Sequence, residues 1–144
     1  MTLRPPAIIC DIDGTLAHHG PAGREFNDYT KVGEDVPNDP VLWLLRCVAL
    51  WGSTRIVLVS GRENIGYCRS LTELWLKSYE VPYHALFMRG PGDHRRDDIV
   101  KWEIYHAHIR DVYDIRFVLE DRNRLVAMWR GLGLTCLQVA EGDF

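Results

Sequence analysis

Two aspartates one residue apart are the part of this sequence best suited to chemistry. If Ala7–Asp11 is a strand, Asp11 lies at its end and Asp13 lies in the turn beyond, followed by Gly14 and Thr15. Two neighbouring carboxylates repel each other unless a cation lies between them. The natural candidates are a hard divalent metal with oxygen ligands and a phosphoryl group whose charge that metal offsets. An aspartate can also attack phosphorus while its neighbour carries the proton.

Further polar residues follow other apolar runs and would complete such a site. Ser60 and Glu120 each end an apolar run, and Asp121 comes directly after Glu120. Lys101 lies four residues after Asp97, which places both on one face of a helix. Because ligands of an open parallel sheet bind at the carboxyl ends of its strands, we expect these side chains to lie together.

Each of these residue types has a role in phosphoryl transfer. Asp11 is the candidate nucleophile, since a carboxylate needs no deprotonation at neutral pH. Asp13 would protonate the leaving oxygen and then deprotonate the hydrolytic water. Ser60 would donate a hydrogen bond to a phosphoryl oxygen, and Lys101 would supply a fixed positive charge.

The acidic residues also predict a metal site. Asp121, with Glu120, would complete an oxygen site for Mg²⁺ together with Asp11 and the backbone carbonyl of Asp13. A metal placed there would offset the charge of the transferring phosphoryl group.

The chain predicts an α/β fold: a Rossmann-like parallel five-stranded sheet with helices on both faces. Apolar runs alternate with stretches of helical periodicity, which is typical of parallel sheets. The predicted strands are Ala7–Asp11, Arg55–Ser60, Ala85–Met88, Ile115–Glu120 and Thr135–Val139. The predicted helices begin near Asn38, Asn64, Asp97 and Arg122, and they end near Gly52, Tyr79, Ile109 and Leu132.

Residues 17–38, here called the flap, form the longest irregular stretch. They are too few for a separate lid domain, so we expect a single domain over residues 1–144 with a small cover over the site. We expect the five tryptophans, which lie on apolar helical stripes, to pack in the core.

Composition sets broad limits on function. The net charge of −3 argues against a protein that coats long nucleic acid, but not against one that grips an end. No apolar run suits a membrane span and no leader pattern is seen, so we expect a cytoplasmic protein without membrane contact. The four cysteines are far apart, which favours reduced thiols over disulfides or a zinc site.

The pattern resembles the haloacid dehalogenase superfamily of aspartate-based phosphatases, through DIDGT, Ser60, Lys101 and the acidic pair. The segments SGREN, GDHRRDDIVKWEIY, VLEDRNRLVAMWRGLGL and QVAEGDF resemble, more narrowly, the 3′-phosphatase domain of phage polynucleotide kinase/phosphatase. That likeness covers roughly residues 7 to 144. It implies removal of 3′-phosphate, and opening of 2′,3′-cyclic phosphate, at DNA or RNA ends with Mg²⁺ and an aspartyl-phosphate intermediate.

The resemblance also implies roles for individual residues. It adds Arg62 to Ser60 and Lys101 around the phosphate, and it matches Arg24 in the flap, Arg89 and Asp97 to substrate-binding positions. It further implies a homo-oligomer formed through this domain, and host cytoplasm as the location if the protein is phage-encoded.

Two departures from the family pattern stand out. Glu120 occupies a position where the family usually has aspartate, which could change metal preference or rate. No GxxxxGK[ST] motif occurs, so we expect neither a kinase domain nor 5′-kinase activity from this chain.

Other interpretations stay open at this point. Taken alone, an aspartate after a strand is often a turn residue, and a helical lysine is usually solvated. A small-molecule phosphatase acting on nucleotide or sugar phosphates would show the same central motif. A receiver-type signalling module also combines acids, a hydroxyl and a lysine, but its phosphorylated aspartate follows the third strand, where this chain has Met88-Arg89-Gly90.

Overall fold

A computed structural model describes residues 3–20 and 23–144; Pro21 and Ala22, within the predicted flap, lie outside the described residues. The strands are β1 (Pro6–Cys10), β2 (Ala17–His18), β3 (Val36–Pro37), β4 (Arg55–Glu63), β5 (Ala85–Arg89), β6 (Asp114–Glu120) and β7 (Cys136–Gln138). The helices are α1 (Asp39–Leu50), α2 (Gly66–Ser78), α3 (Asp97–Ile104) and α4 (Asn123–Gly131).

The main sheet has five parallel strands in the order β5-β4-β1-β6-β7. The central strand β1 therefore lies where the strand order reverses, and a crevice opens at the carboxyl end of such a strand. Asp11 follows the last residue of β1, so the chain topology alone brings it to this crevice.

Helices cover both faces of the sheet, as the sequence predicts. Side chains of β1 alternate between two cores, with Ile8 and Cys10 in one and Ala7 and Ile9 in the other. The first core includes Trp75 of α2, together with residues of α1 and of the flap. The second contains Trp129 of α4, together with Tyr105 and Ile109 from the π-helical turn that follows α3. Burial on both faces explains why these strands are continuously apolar.

The flap is small, as expected, but it contains structure that the sequence analysis did not identify. Strands β2 and β3 pair antiparallel, and a 3₁₀ turn spans Tyr29–Glu34 before β3. The Trp75 indole donates a hydrogen bond to the Asp35 carbonyl at 2.8 Å, and Asn38 donates its side-chain amide to the Thr15 carbonyl at 2.9 Å. These bonds attach the flap to α2 and to the loop after β1.

The prediction that all five tryptophans pack in the core is wrong for three of them. Trp75 and Trp129 are buried, but Trp43, Trp51 and Trp102 are 67%, 82% and 45% exposed. Trp43 and Trp102 lie on helix faces that stay exposed, and Trp51 follows the last residue of α1. Within the described parts of the chain, no helix is both long and apolar enough to cross a membrane.

Candidate active site

Lys101 joins the nucleophile candidate to the acidic pair. Its ammonium group donates to Asp11 Oδ1 at 2.6 Å and to Glu120 Oε2 at 2.9 Å, and all three residues are buried. Helix α3 presents Lys101 from its second turn, Asp11 follows the last residue of β1, and Glu120 is the last residue of β6. Three elements that are distant in sequence therefore meet in one charged cluster.

The cluster carries more negative than positive charge. Burial, and then the charge of Glu120, raise the pKa of Asp11 to about 7 despite the opposing effect of Lys101. Burial and the charge of Asp11 also raise the pKa of Asp121. Burial would lower the pKa of Lys101, but the two carboxylates outweigh it and raise that pKa above its ordinary value.

These acids fit a divalent cation. One oxygen from each of Asp11, Glu120 and Asp121 lies within 4.8 Å of the others. With one lysine against three carboxylates, a bound cation would offset the excess negative charge of the cluster. Carboxylate oxygens are also the ligands that hard cations such as Mg²⁺ take.

Asp13 lies in the opposite electrostatic environment. Arg62 donates to both of its oxygens, at 2.9 and 2.8 Å, and Arg24 donates to Oδ1 at 2.8 Å. Burial would raise the pKa of Asp13, but Arg62 and then Arg24 outweigh it and hold that pKa below its ordinary value. The loop after β1 therefore carries one carboxylate with a raised pKa and one that is firmly ionised.

Asp35, which the sequence analysis did not select, fixes both arginines. It accepts hydrogen bonds from Arg24 at 2.8 and 3.0 Å and from Arg62 at 2.9 Å, and it is buried. Thr72 of α2 accepts a further hydrogen bond from Arg62 at 3.0 Å. No local motif marks Asp35, because its role arises only when the flap folds back onto β4.

An irregularity in β4 explains how Arg62 reaches Asp13. The register with β5 shifts between Ser60 and Glu63, and a bulge of this kind redirects side chains. Ser60 is buried, and its hydroxyl accepts a hydrogen bond from the Arg62 amide at 3.2 Å. Gly61 lines the same cavity as Asp11 and Lys101.

Arg89 and Asp97 lie near the cluster but have other partners. Arg89 donates to the carbonyl of Gly61 at 2.8 Å and to that of Asp93 at 3.1 Å, so it links β4 to the loop before α3. Asp97 lines the cavity and pairs closely with Arg122. Substrate binding remains a prediction for four residues: Arg24, Arg62, Arg89 and Asp97. In the structure, their charged groups contact the protein itself.

Close backbone approaches hold Asp121 in place. Thr15 donates to Asp121 Oδ1 at 3.3 Å, and a β-carbon on Gly14, whose φ is +83°, would lie 2.2 Å from Oδ2. On the other side, Gln138 donates to the Asp121 carbonyl at 2.8 Å. A β-carbon on Gly142 would lie 2.2 Å from that same carbonyl oxygen. Two separate segments therefore set the position of this carboxylate.

The cavity above the cluster is small. Asp11, Asp13, Lys101 and Asp121 line a volume of about 30 Å³, which holds roughly two water-sized groups. It accommodates a cation or phosphoryl oxygens, but not a whole sugar or base. The remainder of any phosphate ester must lie outside it.

Comparison with known proteins identifies the family. Residues 5–144 match the family described as the polynucleotide kinase PNKP phosphatase domain. A protein of Autographa californica nuclear polyhedrosis virus, whose name assigns it polynucleotide kinase and RNA ligase functions, is 33% identical over 130 residues. The match covers 89% of this chain but only 18% of the viral protein.

Solved structures support the same family assignment. Chains in two structures of the Pnkp1/Rnl/Hen1 complex, one of them titled an RNA repair complex, are 39% identical, with TM-scores of 0.91 and 0.92. The matches cover 98% and 100% of this chain and 44% and 49% of those chains, so this chain spans less than half their length.

A haloacid dehalogenase-like hydrolase from Streptococcus pneumoniae shares the fold, with a TM-score of 0.60 and 12% identity over 92% of this chain and 83% of that one. The predicted fold and the predicted resemblance are both confirmed. The chain belongs to the polynucleotide kinase PNKP phosphatase domain family, and it has the fold of the haloacid dehalogenase-like hydrolases.

Proposed function

We propose that this protein is a Mg²⁺-dependent 3′-phosphatase of polynucleotide ends that works through an aspartyl-phosphate on Asp11. The observation that carries the proposal is the contrast between two aspartates of one loop. Asp11 lies among Lys101 and two further acids, while two arginines clamp Asp13. A nucleophile and a proton carrier require different environments of this kind.

In the first step, a carboxylate oxygen of Asp11 attacks phosphorus, and the bond from phosphorus to the leaving 3′ oxygen breaks. That oxygen takes a proton from Asp13 and leaves as a hydroxyl. Lys101 orients Asp11 and keeps a positive charge beside it throughout. In the second step, Asp13 takes a proton from water, the water oxygen attacks phosphorus, and the bond to Asp11 breaks to release inorganic phosphate.

The arginine clamp corresponds to the ionised state of Asp13, which the second step requires. The first step needs the protonated form. A phosphate dianion arriving beside Asp13 raises its pKa, because like charge disfavours the carboxylate. Substrate binding therefore favours the acid form, and donation of that proton to the leaving oxygen returns Asp13 to the base form that the second step requires.

Asp11, Glu120 and Asp121 are the residues that would hold Mg²⁺. When bound, the ion would neutralise charge on the phosphoryl oxygens and on the carboxylate cluster. Glu120 also accepts from Lys101, so in this chain the longer acid serves the lysine as well as the metal site.

A polynucleotide end is the substrate class that we favour. The flap is short, and the 30 Å³ cavity shares lining residues with a larger cavity beside it, so there is room for a polymer to extend away from the reacting phosphate. Membership in the polynucleotide phosphatase family supports the same class. By extension from the RNA repair complex and the viral kinase/ligase, we propose a role in repairing RNA ends.

Two further predictions from the resemblance belong to this proposal. Residues 1–144 act as one phosphatase domain without kinase activity, and the domain associates with copies of itself. Sedimentation of the purified chain measures the second directly.

The test is phosphate release from matched DNA and RNA oligomers with a 3′-phosphate, and from RNA with a 2′,3′-cyclic phosphate. Mononucleotides and sugar phosphates serve as comparison substrates. We expect Mg²⁺-dependent release, with kcat/KM highest on an oligomer. Asp11→Asn abolishes turnover, whereas Asp111→Asn, at an exposed acid, is the matched control.

Three outcomes would contradict the proposal. Full activity of Asp11→Asn removes the covalent mechanism. A clear preference for sugar phosphates supports a small-molecule phosphatase instead. A long-lived aspartyl-phosphate without turnover supports the receiver-type alternative.

A further inference from the structure

Two exposed phenyl rings contact one arginine, Arg122, which lines the catalytic cavity. The Arg122 guanidinium carbon is 5.6 Å from the ring centre of Phe26 and 4.6 Å from that of Phe144. Phe26 belongs to the flap, and Phe144 follows the segment that supports Asp121. The rings are 52% and 65% exposed, whereas most large apolar side chains near the sheet are buried.

Arg122 is fixed and charge-paired, so it is poorly suited to catching a free phosphate. Its guanidinium pairs with the Asp97 carboxylate, and its side chain is 18% exposed. What it provides is a rigid cationic support for the two rings, since a guanidinium over an aromatic face is an attractive contact. The three side chains Phe26, Arg122 and Phe144 are called the aromatic platform below.

The aromatic platform borders a second cavity that adjoins the first. This outer cavity has a volume of about 190 Å³ and is lined by both phenylalanines, Arg122 and the histidines His18 and His19. Asp13, Asp121, Arg122 and Phe26 line both cavities. These shared residues make the outer cavity a place for the alcohol portion of an ester whose phosphate fills the inner one.

We propose that the aromatic platform binds the terminal nucleobase of the substrate, the base on the sugar that carries the 3′-phosphate. This inference rests on the proposed function and adds a specificity site to it. An aromatic ring stacks on the face of any base, so such a site recognises a nucleotide without selecting its sequence. A sugar phosphate without a base offers no flat face to these rings.

Stacking on the aromatic platform favours an unpaired end over an end within a duplex. At a nick the terminal base is already stacked between neighbouring base pairs, and it must leave that stack, at a cost in free energy, to reach the aromatic platform. An unpaired 3′ end therefore binds better than the same end at a nick in a duplex.

The test uses 2-aminopurine, a base whose fluorescence falls when it stacks. Single-stranded oligonucleotides with a 3′-phosphate carry it either at the 3′-terminal position or four nucleotides inward. The full chain with Asp11→Asn is titrated with each at fixed salt, so that binding is seen without turnover. We expect strong quenching of the terminal probe and little quenching of the internal one.

Adding Phe144→Ala to the Asp11→Asn protein removes most of the terminal quenching. It also raises the Kd for this oligonucleotide about tenfold, within the range for loss of one stacking aromatic. Phe144→Tyr, which keeps the ring, restores both, and Phe26→Ala gives a second, independent variant. Trp51→Ala is the matched control, because Trp51 is an exposed aromatic beyond the far end of α1.

The outcomes separate this inference from the proposed function. Binding without terminal quenching, no binding at all, or quenching unchanged in both phenylalanine variants overturns the aromatic platform. Wild-type hydrolysis of the same oligonucleotides is measured separately. Absence of hydrolysis with quenching intact overturns the phosphatase proposal and leaves the base site standing.

Discussion

The carboxylate of Asp35 accepts a hydrogen bond from the guanidinium of Arg62 at 2.9 Å, and both side chains are almost entirely buried. Through this contact the flap is joined to the bulged end of β4. Arg62 also donates to both oxygens of Asp13. Asp35 therefore acts on Asp13 through Arg62 and is a positioning residue.

Asp35→Asn should therefore damage both stability and catalysis. The change leaves the buried guanidinium groups of Arg24 and Arg62 with one carboxylate, that of Asp13. Removing one partner of a buried ion pair costs about 3 kcal/mol in the free energy of unfolding. A loosened Asp13 should lower kcat about 100-fold. Denaturant unfolding and steady-state kinetics measure the two effects.

The neighbouring exposed acid provides the control for Asp35. Glu34→Gln removes a charge one residue away and should leave unfolding and kcat close to wild type. If Asp35→Asn lowers stability but leaves the pH profile and kcat intact, Asp35 is structural only.

Lys101→Met should change the pH dependence of the reaction as well as its rate. Lys101 lowers the pKa of Asp11, which burial and Glu120 otherwise raise. Without the lysine that pKa rises further, Asp11 stays protonated to higher pH, and the acidic limb of the kcat profile moves toward higher pH. At pH 7 we expect a loss of about 100-fold.

Measurements of kcat from pH 5 to 9 at saturating Mg²⁺ test this prediction. Lys77→Met, at an exposed lysine in the last turn of α2, is the control. A rate loss that is equal at every pH would mean that Lys101 acts only on the substrate and not on the ionisation of Asp11.

Glu120→Gln should weaken Mg²⁺ binding while keeping the shape of the side chain. It removes one of three charges that face the metal site, and we expect about a tenfold loss of affinity. Glu120→Asp keeps the charge but withdraws it from Lys101, so its Mg²⁺ affinity should lie closer to wild type. Mg²⁺-dependent thermal shift gives a readout that does not depend on turnover.

Glu103→Gln is the control for Glu120→Gln. Glu103 is an exposed acid of α3, so this change removes the same charge at a position outside the cluster. If Glu120→Gln binds Mg²⁺ as tightly as the wild type does, Glu120 pairs with Lys101 and is not a metal ligand.

Much of the fold could be predicted from the sequence, because its signals are local. Continuous apolar runs predicted the five strands of the main sheet, and helical stripes predicted α1 to α4 to within a few residues. Since parallel strands end at the same edge, the meeting of Asp11, Lys101 and Glu120 followed from topology. The short hairpin β2–β3 was missed because two-residue strands leave almost no pattern.

The rest of the site depends on contacts that no local signal reports. Asp35 is one acid among several in an irregular stretch, and only the folded flap brings it to Arg62. Similarly, Phe144 and Phe26 line the same cavity because the segment after β7 returns to the loop at Asp121. Sequence patterns show which faces are apolar, but they do not show which distant segments meet.

Gly142→Ala should displace the loop that carries Asp121. A β-carbon at Gly142 would lie 2.2 Å from the Asp121 carbonyl oxygen and 2.6 Å from the Arg122 α-carbon, and these backbone atoms cannot rotate away. The amide of Asn123 also donates to the Gly142 carbonyl at 2.9 Å, so the two segments move together. We expect a loss of about 2 kcal/mol in the free energy of unfolding and about tenfold weaker Mg²⁺ binding.

Gly131→Ala is the matched control, because a β-carbon there meets nothing within 4 Å. At the end of α4 this change should leave Mg²⁺ affinity unaltered and raise the free energy of unfolding by roughly 0.5 kcal/mol. Thermal shift with and without Mg²⁺ compares the two glycine variants directly. If Gly142→Ala binds Mg²⁺ as the wild type does, the segment after β7 does not set the position of Asp121, and Gly14 and Thr15 do so alone.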